Sequence, residues 1–303
     1  IKLLRIKTLK ISVEHKEQEF FAVIKDIDIK NLSDVNFLKI KNAVESFGVV
    51  VLKDQAINDE EQILFSQRFG KLERALEQDT LKGISPEITR ISNVGANNEI
   101  LPIDSEKVIY DRGNRSWHTD SSYKDIPSKI SILSAREIPT DGGGTEYIDA
   151  RYALENWENK NRKYNLNQLK NEICEHSIVY SRMVNTGDIF NDDYKNKMPF
   201  VKQRLIRTHP TTKRSAFYAG SHCSHIVGWD LNESRNLIKE INEWITEAGK
   251  IVQHQWSNNE IVIWDNRRVL HRGTPFDEKS SRRIMHRTTV AGDIPSYKEK
   301  INF

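Results

Sequence analysis

The sequence has very little cysteine, with only Cys174 and Cys223 among its 303 residues. Two isolated cysteines fit neither the ligand spacing of a zinc site nor a disulfide framework. Secreted small domains are often rich in disulfides, whereas reduced thiols are the ordinary state in the cytosol. The cysteine content therefore favours a cytoplasmic protein.

The sequence also lacks an excess of charge and long apolar runs. The net charge is +3 and the lysines are interspersed with acidic residues, so the balance of charge does not predict binding to nucleic acid or to a membrane surface. No apolar stretch approaches the ~20 residues that a membrane-spanning helix needs. The N-terminal residues have no apolar segment followed by a small-residue cleavage site, so we do not expect a signal peptide.

The composition that is present, 37% hydrophobic and 29% charged, is typical of a globular protein, and we predict a single domain over residues 1–303. Alternating apolar residues in 1–30 predict an opening pair of strands. Ser33 and Gly48 mark the ends of a predicted helix. Short strands dominate the remainder, which predicts a mainly β fold with flanking helices, a double-stranded β-helix (a cupin-like jelly roll).

Three further segments carry structural predictions. Residues 73–115 are polar and rich in turns, which is typical of a lid or substrate loop. Residues 151–205 have helical, highly charged character and too little apolar content for a core of their own, so we predict a helical insertion. Residues 251–255 and 260–264 are predicted to pair as a hairpin.

The motif that carries the chemistry is His118-Thr119-Asp120, followed much later in the chain by His271. In an extended strand the side chains of His118 and Asp120 leave the same face. Two histidines and one carboxylate can hold one face of an octahedral metal and leave the opposite face open, as in non-haem Fe(II) oxygenases. His209, His222 and His225 are alternative ligands, but the triad is complete without them, so we expect structural or pocket roles.

A cluster of arginines follows His271, and Arg283 and Arg287 are placed on one face by the period of a strand. A run of charges is commonly a solvated edge strand, but apolar Ile284 and Val290 favour a strand with a buried face. Guanidinium groups are planar and permanently charged, which suits them to bind a carboxylate. The pattern is consistent with anchoring an acidic ligand beside the metal.

Taken together, these motifs resemble the Fe(II)/2-oxoglutarate-dependent dioxygenases of the taurine dioxygenase type, and within them the 2,4-dichlorophenoxyacetate dioxygenase branch. The resemblance runs from about Gly48 to Gly292. It rests on the following segments in this order: Ile91-Ser92-Asn93-Val94, Trp117 to Ser122, Gly142-Gly143-Gly144-Thr145, Arg207-Thr208-His209, Gly220 to His225, Trp264-Asp265-Asn266-Arg267, Val269 to Gly273, and Arg283 to Arg287.

The resemblance implies roles for individual residues. His118, Asp120 and His271 would bind Fe(II), and the co-substrates would be 2-oxoglutarate and O2. The far carboxylate of 2-oxoglutarate would be bound by Arg283 and Thr145, with Arg287 nearby facing the acidic group of the substrate. The expected polar contacts of the substrate pocket are Asn93, Asn114, Arg287 and, as a partner for an anion, Lys82.

The expected reaction is hydroxylation of a small anionic substrate with release of succinate and CO2. An aryloxyalkanoate-like carboxylate comes first, because hydroxylation beside its ether oxygen gives a hemiacetal that collapses with ether cleavage. A sulfonate or alkyl sulfate is the second candidate. The same ligands could also hold Zn(II) in a hydrolase, or the fold could bind a ligand without catalysis. Relatives of this type are commonly dimers or tetramers, so we expect a homo-oligomer.

Overall fold

The computed structural model describes residues 10–15, 19–159, 162–187 and 190–300. In these ranges the chain forms short strands and helices in alternation, with sheet dominating the fold. The strands are β1 (Lys10–His15), β2 (Phe20–Lys25), β3 (Val49–Leu52), β4 (Thr89–Ser92), β5 (Ser128–Glu137), β6 (Thr145–Asp149), β7 (Ile173–His176), β8 (Val201–Arg204), β9 (Ile206–Thr208), β10 (Ser215–Phe217), β11 (Cys223–Ile226), β12 (Val252–His254), β13 (Ile261–Asp265), β14 (Val269–Gly273) and β15 (Ile284–Ala291).

The α-helices are less numerous than the strands, and most of them are short. They are α1 (Asp34–Phe47), α2 (Asp59–Gln67), α3 (Glu106–Arg112), α4 (Ala150–Glu155), α5 (Leu166–Leu169), α6 (Ile178–Thr186), α7 (Asp192–Lys197) and α8 (Leu231–Ala248). The predicted first helix is confirmed: the side chain of Ser33 accepts a hydrogen bond from the backbone of Asn36, and Gly48 ends the helix with a φ of 73°. No helix in the described ranges is long and apolar enough to cross a membrane.

The main sheet has seven strands in the order β1-β2-β3-β13-β5-β15-β4, and β2 with β3 is its parallel pair. The predicted opening strands are confirmed, since β1 and β2 form an antiparallel pair. Three smaller sheets accompany it: β12-β6-β14, β11-β7-β8 and β10-β9. Of the candidate metal ligands, His271 lies on β14, whereas His118 forms an isolated bridge before β5 and Asp120 lies in the turn that follows, so these two residues are not in the extended strand expected from the sequence.

Successive residues of β13 show how the layers pack. Ile261 and Ile263 face a cluster formed with α1 and α2, whereas Val262 and Trp264 face a second cluster that includes Tyr147 and residues of β12 and β14. Side chains alternate across a strand, so β13 contributes to both layers and is buried throughout. The main sheet thus lies between a helical layer and the β12-β6-β14 sheet.

The predicted hairpin of residues 251–264 is wrong, because its two strands lie in different sheets. Strand β12 pairs with β6, while β13 pairs with β3 and β5. Glu260 holds the crossover between them by accepting hydrogen bonds from His254 Nε2 and the backbone of Ser257, each at 3.0 Å. Apolar alternation predicts which faces are buried, but it does not specify the partner strand.

The segment 151–205 contains helices, as predicted, together with β7 and β8, which pair with each other and with β11. Its apolar side chains are not independent of the rest of the chain. Leu154, Trp157 and Leu169 pack into one cluster with Ile241 and Ile245 of α8. The segment 73–115, in turn, contains β4 and α3.

Candidate metal centre and oxo-acid site

The two candidate histidine ligands are joined through their own backbones. The amide of His118 donates to the carbonyl of His271 at 3.1 Å, and the amide of His271 donates back to His118 at 2.9 Å. This antiparallel bridge brings the two imidazole rings to a centroid distance of 4.2 Å. Main-chain hydrogen bonds therefore bring together two segments that are remote in sequence.

Asp120 completes a group whose donor atoms all lie within 4.8 Å of one another. Its Oδ1 is 3.9 Å from Nε2 of His118 and 3.8 Å from Nε2 of His271. Two atoms that each bind one metal at ~2.1 Å can be at most ~4.2 Å apart, and both separations satisfy that limit. The donor set fits a two-histidine, one-carboxylate metal site.

The protonation of the histidines also suits metal binding. The carbonyl of Ser116 lies 2.8 Å from Nδ1 of His118; because a carbonyl only accepts, Nδ1 carries the proton and Nε2 keeps its lone pair. Burial lowers the pKa of His118 to about 4 and takes the pKa of His271 well below its ordinary value. Both rings are neutral near pH 7, the form that a metal ligand requires.

Asp120 is held ionised by the groups around its carboxylate. Burial alone would raise its pKa, but the charge of the Arg287 guanidinium and the hydrogen bond from Ser131 act in the opposite direction, and the pKa is lowered. Arg287 donates to Oδ1, and the hydroxyl of Ser131 donates to Oδ2 at 2.6 Å. Arg287 therefore contacts a metal ligand directly.

Asn266 supports Asp120 from behind. Its Oδ1 accepts hydrogen bonds from the backbone of Asp120 at 3.1 Å and from Nε1 of Trp264 at 2.9 Å. Its Nδ2 donates to the hydroxyl of Ser131 at 2.8 Å, which in turn binds Asp120. One fully buried amide thus fixes both the backbone and the side chain of the carboxylate ligand.

Arg283 is half-buried and packs against the glycine-rich turn. Its Nε donates to the carbonyl of Gly143 at 2.9 Å, and its backbone amide donates to Oδ1 of Asn93 at 2.9 Å. Burial lowers the pKa of Arg283 to about 10, so the guanidinium stays charged at neutral pH. Gly143 has a φ of 65°, and a Cβ there would lie 2.7 Å from the ring of Pro139. The backbone of this turn therefore lies close to Arg283, and glycine leaves room for that approach.

Two small cavities adjoin these groups and share Ile91 and Asn114 in their walls. The first has a volume of about 70 Å³ and is lined by Arg283 and Asn93. The second has a volume of about 20 Å³ and is lined by both residues of the His-x-Asp motif; Asp79, Tyr123, Arg182, His222 and Arg287 also line it. The metal ligands and Arg283 therefore face neighbouring spaces.

The family described as "Taurine catabolism dioxygenase TauD, TfdA family" matches residues 13–289 of this sequence. The chain belongs to this family. It is 30% identical over 286 residues to the alpha-ketoglutarate-dependent 2,4-dichlorophenoxyacetate dioxygenase of Burkholderia sp. (strain RASC), covering 93% of this chain and 95% of that protein. It is 29% identical to the (S)-phenoxypropionate/alpha-ketoglutarate-dioxygenase of Sphingobium herbicidovorans, over 91% of this chain and 93% of that protein.

A solved structure gives the same result for the fold. The crystal structure of AAD-2 in complex with Mn(II) and N-oxalylglycine has a TM-score of 0.85 and 32% identity, over 96% of this chain and 100% of that one. The predicted resemblance to the TauD, TfdA dioxygenases is thereby confirmed.

Of the remaining residues predicted for this TauD, TfdA site, some line the two cavities and others do not. Asn93 lines the first cavity, but its Nδ2 donates to the carbonyls of Glu278 and Ser281, so its side chain holds the loop before Arg283. Asn114 lines both cavities. Thr145 is buried, and its hydroxyl accepts from Nε1 of Trp256 at 3.0 Å. Lys82 is exposed, and no contact in the described ranges joins it to the site.

The three alternative histidines lie outside the triad. His209 binds Asp265 at 2.8 Å, and His225 lies at the surface 3.5 Å from Glu175. His222 packs edge-on to His118 with ring centroids 5.7 Å apart. Sequence reasoning did not single out Arg182, which shares the second cavity with the TauD, TfdA ligands. It lies in a charged segment, where no pattern distinguishes a buried arginine from solvated ones.

Proposed function

We propose that this chain is an Fe(II)- and 2-oxoglutarate-dependent dioxygenase that hydroxylates an aryloxyalkanoate beside its ether oxygen. The observation that carries the proposal is the convergence of His118, Asp120 and His271 next to a cavity whose wall contains the charged, half-buried Arg283. The two histidines and one carboxylate suit Fe(II) as ligands. The guanidinium of Arg283 nearby suits the far carboxylate of a dicarboxylic oxo-acid. We also propose that the main sheet and the β12-β6-β14 sheet packed on it together form a double-stranded β-helix.

The residues have separate tasks in this proposal. His118, Asp120 and His271 hold the metal, which when bound supplies the activation of O2. Arg283 binds the far carboxylate of 2-oxoglutarate, and the hydroxyl of Thr145 donates a hydrogen bond to the same carboxylate. Arg287 keeps Asp120 ionised and oriented. N-oxalylglycine, found with Mn(II) in the AAD-2 structure, carries two carboxylates and a carbonyl, as 2-oxoglutarate does.

The reaction balances without a further reductant. 2-Oxoglutarate loses CO2 and takes one oxygen atom as succinate, and the second oxygen atom enters the substrate C–H bond as hydroxyl. With an aryloxyacetate the product is a hemiacetal, which collapses to a phenol and glyoxylate. A sulfonate or sulfate ester is not favoured, because the aryloxyalkanoate relatives cover more than nine tenths of this chain.

The active site is closed around its cavities. A volume of about 20 Å³ accommodates about one water molecule, so an aryl ring enters only when a wall moves. Asp79, Thr89 and Tyr110 supply part of that wall and belong to the segment 73–115, for which we propose the role of a lid. We also propose that the protein is cytoplasmic and forms a homo-oligomer, either a dimer or a tetramer. Light scattering after gel filtration tests the oligomeric state.

The decisive experiment uses metal-free protein under anaerobic conditions. Fe(II) and 2-oxoglutarate are added, and the visible spectrum is recorded before and after 2,4-dichlorophenoxyacetate. A weak charge-transfer band that shifts with the aryloxyacetate, followed by succinate and glyoxylate in equal amounts on admission of O2, supports the proposal. Absence of the band, or succinate formation that ignores the aryloxyacetate, contradicts it. Asp120→Ala serves as the control variant that lacks a metal ligand.

A further inference from the structure

Arg182 of α6 is a buried guanidinium that lacks a counterion among the described residues. Its side chain lines the cavity that also contains His118 and Asp120, and the residue is only 3% exposed. Its Nη2 donates to Oδ1 of Asn114 at 2.9 Å. Its Nε and Nη1 are buried and have no acceptor within the part of the chain that the structure describes.

The acids of this cavity are already engaged elsewhere. Asp120 binds Arg287 and Ser131 and faces the metal position, while Asp79 forms an ion pair with Lys107 at 3.1 Å. A buried charge without a partner is strongly unfavourable, and buried N–H groups without an acceptor add to that cost. The cavity therefore has positive charge and donor capacity that an incoming anion can satisfy.

The guanidinium is held in place rather than free to turn toward solvent. Its carbon lies 4.6 Å from the ring centroid of Tyr110, a cation–π contact, and Asn114 fixes one end. Gly113 lies so close to Arg182 that a Cβ on residue 113 would be 2.5 Å from both Nε and Nη1 of the guanidinium. The residue at 113 is helical, with a φ of −59°, so glycine is needed there for space rather than for its backbone conformation.

We propose that Arg182 binds the carboxylate of the aryloxyalkanoate substrate through its free N–H groups. This inference rests on the proposed function and assigns a different task to each of three arginines that line the two cavities. Arg283 binds 2-oxoglutarate, Arg287 holds the metal ligand Asp120, and Arg182 determines that the substrate is an anion. Binding places the ether-bearing carbon, one bond from the carboxylate, in the cavity that the metal ligands line.

The test measures binding rather than turnover. Isothermal titration of the anaerobic Fe(II)- and 2-oxoglutarate-loaded protein compares phenoxyacetate with phenoxyacetamide, which has the same shape but no charge. Charge-assisted hydrogen bonds predict that the wild-type protein binds the carboxylate roughly 10- to 100-fold more tightly than the amide. Arg182→Gln is expected to abolish this preference while binding the amide as the wild type does.

Further variants separate recognition from folding. Arg182→Lys keeps the positive charge but lacks the planar guanidinium, and it is expected to retain part of the preference for phenoxyacetate over phenoxyacetamide. Gly113→Ala leaves Arg182 in the chain but displaces its head group, so it is expected to lose the preference as well. Arg235→Gln removes an exposed arginine from α8 and is the matched control. Dissociation constants for 2-oxoglutarate and unfolding temperatures verify that each variant retains its site.

The outcomes distinguish this inference from the function on which it rests. If Arg182→Gln keeps the wild-type preference for phenoxyacetate over the amide, the assignment of Arg182 is wrong and the dioxygenase proposal stands. If the variant loses affinity for both compounds and for 2-oxoglutarate together, Arg182 has a structural role and the inference is overturned. If the wild-type protein binds neither compound and forms no succinate with either, the proposed substrate and the inference both fail.

Discussion

Substitution of Asn266 by alanine tests whether the hydrogen bonds of this amide hold Asp120 in position. The change removes the acceptor of two buried donors, the backbone amide of Asp120 at 3.1 Å and Nε1 of Trp264 at 2.9 Å. Each buried donor left without an acceptor costs about 1–3 kcal/mol. The sum of about 2–6 kcal/mol is a large part of the stability of an ordinary domain, which is about 5–15 kcal/mol.

Thermal unfolding and metal binding report the two consequences separately. For a chain of this size about 1 kcal/mol lowers the melting temperature by roughly 2 °C, so we expect Asn266→Ala to unfold roughly 4–12 °C below the wild type. The loss of Nδ2 also frees the Ser131 hydroxyl from its position on Asp120. Titration with Mn(II), followed by electron paramagnetic resonance, is expected to show about 10- to 100-fold weaker binding.

The matched control is Asn97→Ala, because Asn97 is exposed in the turn after β4. Its melting temperature and Mn(II) affinity are expected to equal those of the wild type within error. Wild-type values of both quantities in Asn266→Ala would refute the reasoning, since they would mean that the buried amide supports neither the fold nor Asp120. A lowered melting temperature with unchanged Mn(II) affinity would refute the link to the metal ligand alone.

Three further predictions concern other parts of the site and fold. Arg283→Gln removes the charge that we propose binds the far carboxylate, so the dissociation constant for 2-oxoglutarate, measured by titration calorimetry, should rise about 10- to 150-fold while Mn(II) affinity stays the same. Gly143→Ala introduces a side chain at a φ of 65° and 2.7 Å from a proline ring; a lowered melting temperature and weaker 2-oxoglutarate binding are expected, and unchanged values would contradict the structure. Burial alone would raise the pKa of Glu260, but hydrogen bonds from His254 and Lys53 lower it to about 2. Its contribution to stability is therefore present above pH 4.5 and is lost as the pH falls toward 2, and urea titrations should show a shallower acid dependence for Glu260→Gln.

The candidate metal ligands could be predicted from sequence because a histidine and a carboxylate two residues apart, followed by a second histidine and an arginine pair, form a pattern of residue types that resembles a known family. The structure brings His118, Asp120 and His271 together as expected. The structure also places Arg283 beside the glycine-rich turn, and its role toward an oxo-acid stays a prediction.

Other features depend on tertiary contacts that a local pattern does not contain. The alternation in residues 251–264 shows two strands with buried faces, yet nothing in it reveals that they belong to different sheets. The predicted role of Arg287 toward the substrate took no account of Asp120, which contacts it from a turn remote in sequence. Arg182 is one of many charged residues in its segment, and its burial becomes visible only when α6 is packed against Asn114.

The backbone bridge between His118 and His271 has a consequence for the order in which the protein matures. Because amide and carbonyl groups, not the imidazole rings, join the two segments, the frame of the centre forms during folding without an ion. Asp120 likewise has Arg287 to balance its charge beforehand. On the proposed function, we expect iron to bind after folding and its removal by a chelator to be reversible, with the metal-free protein remaining folded and able to bind the metal again.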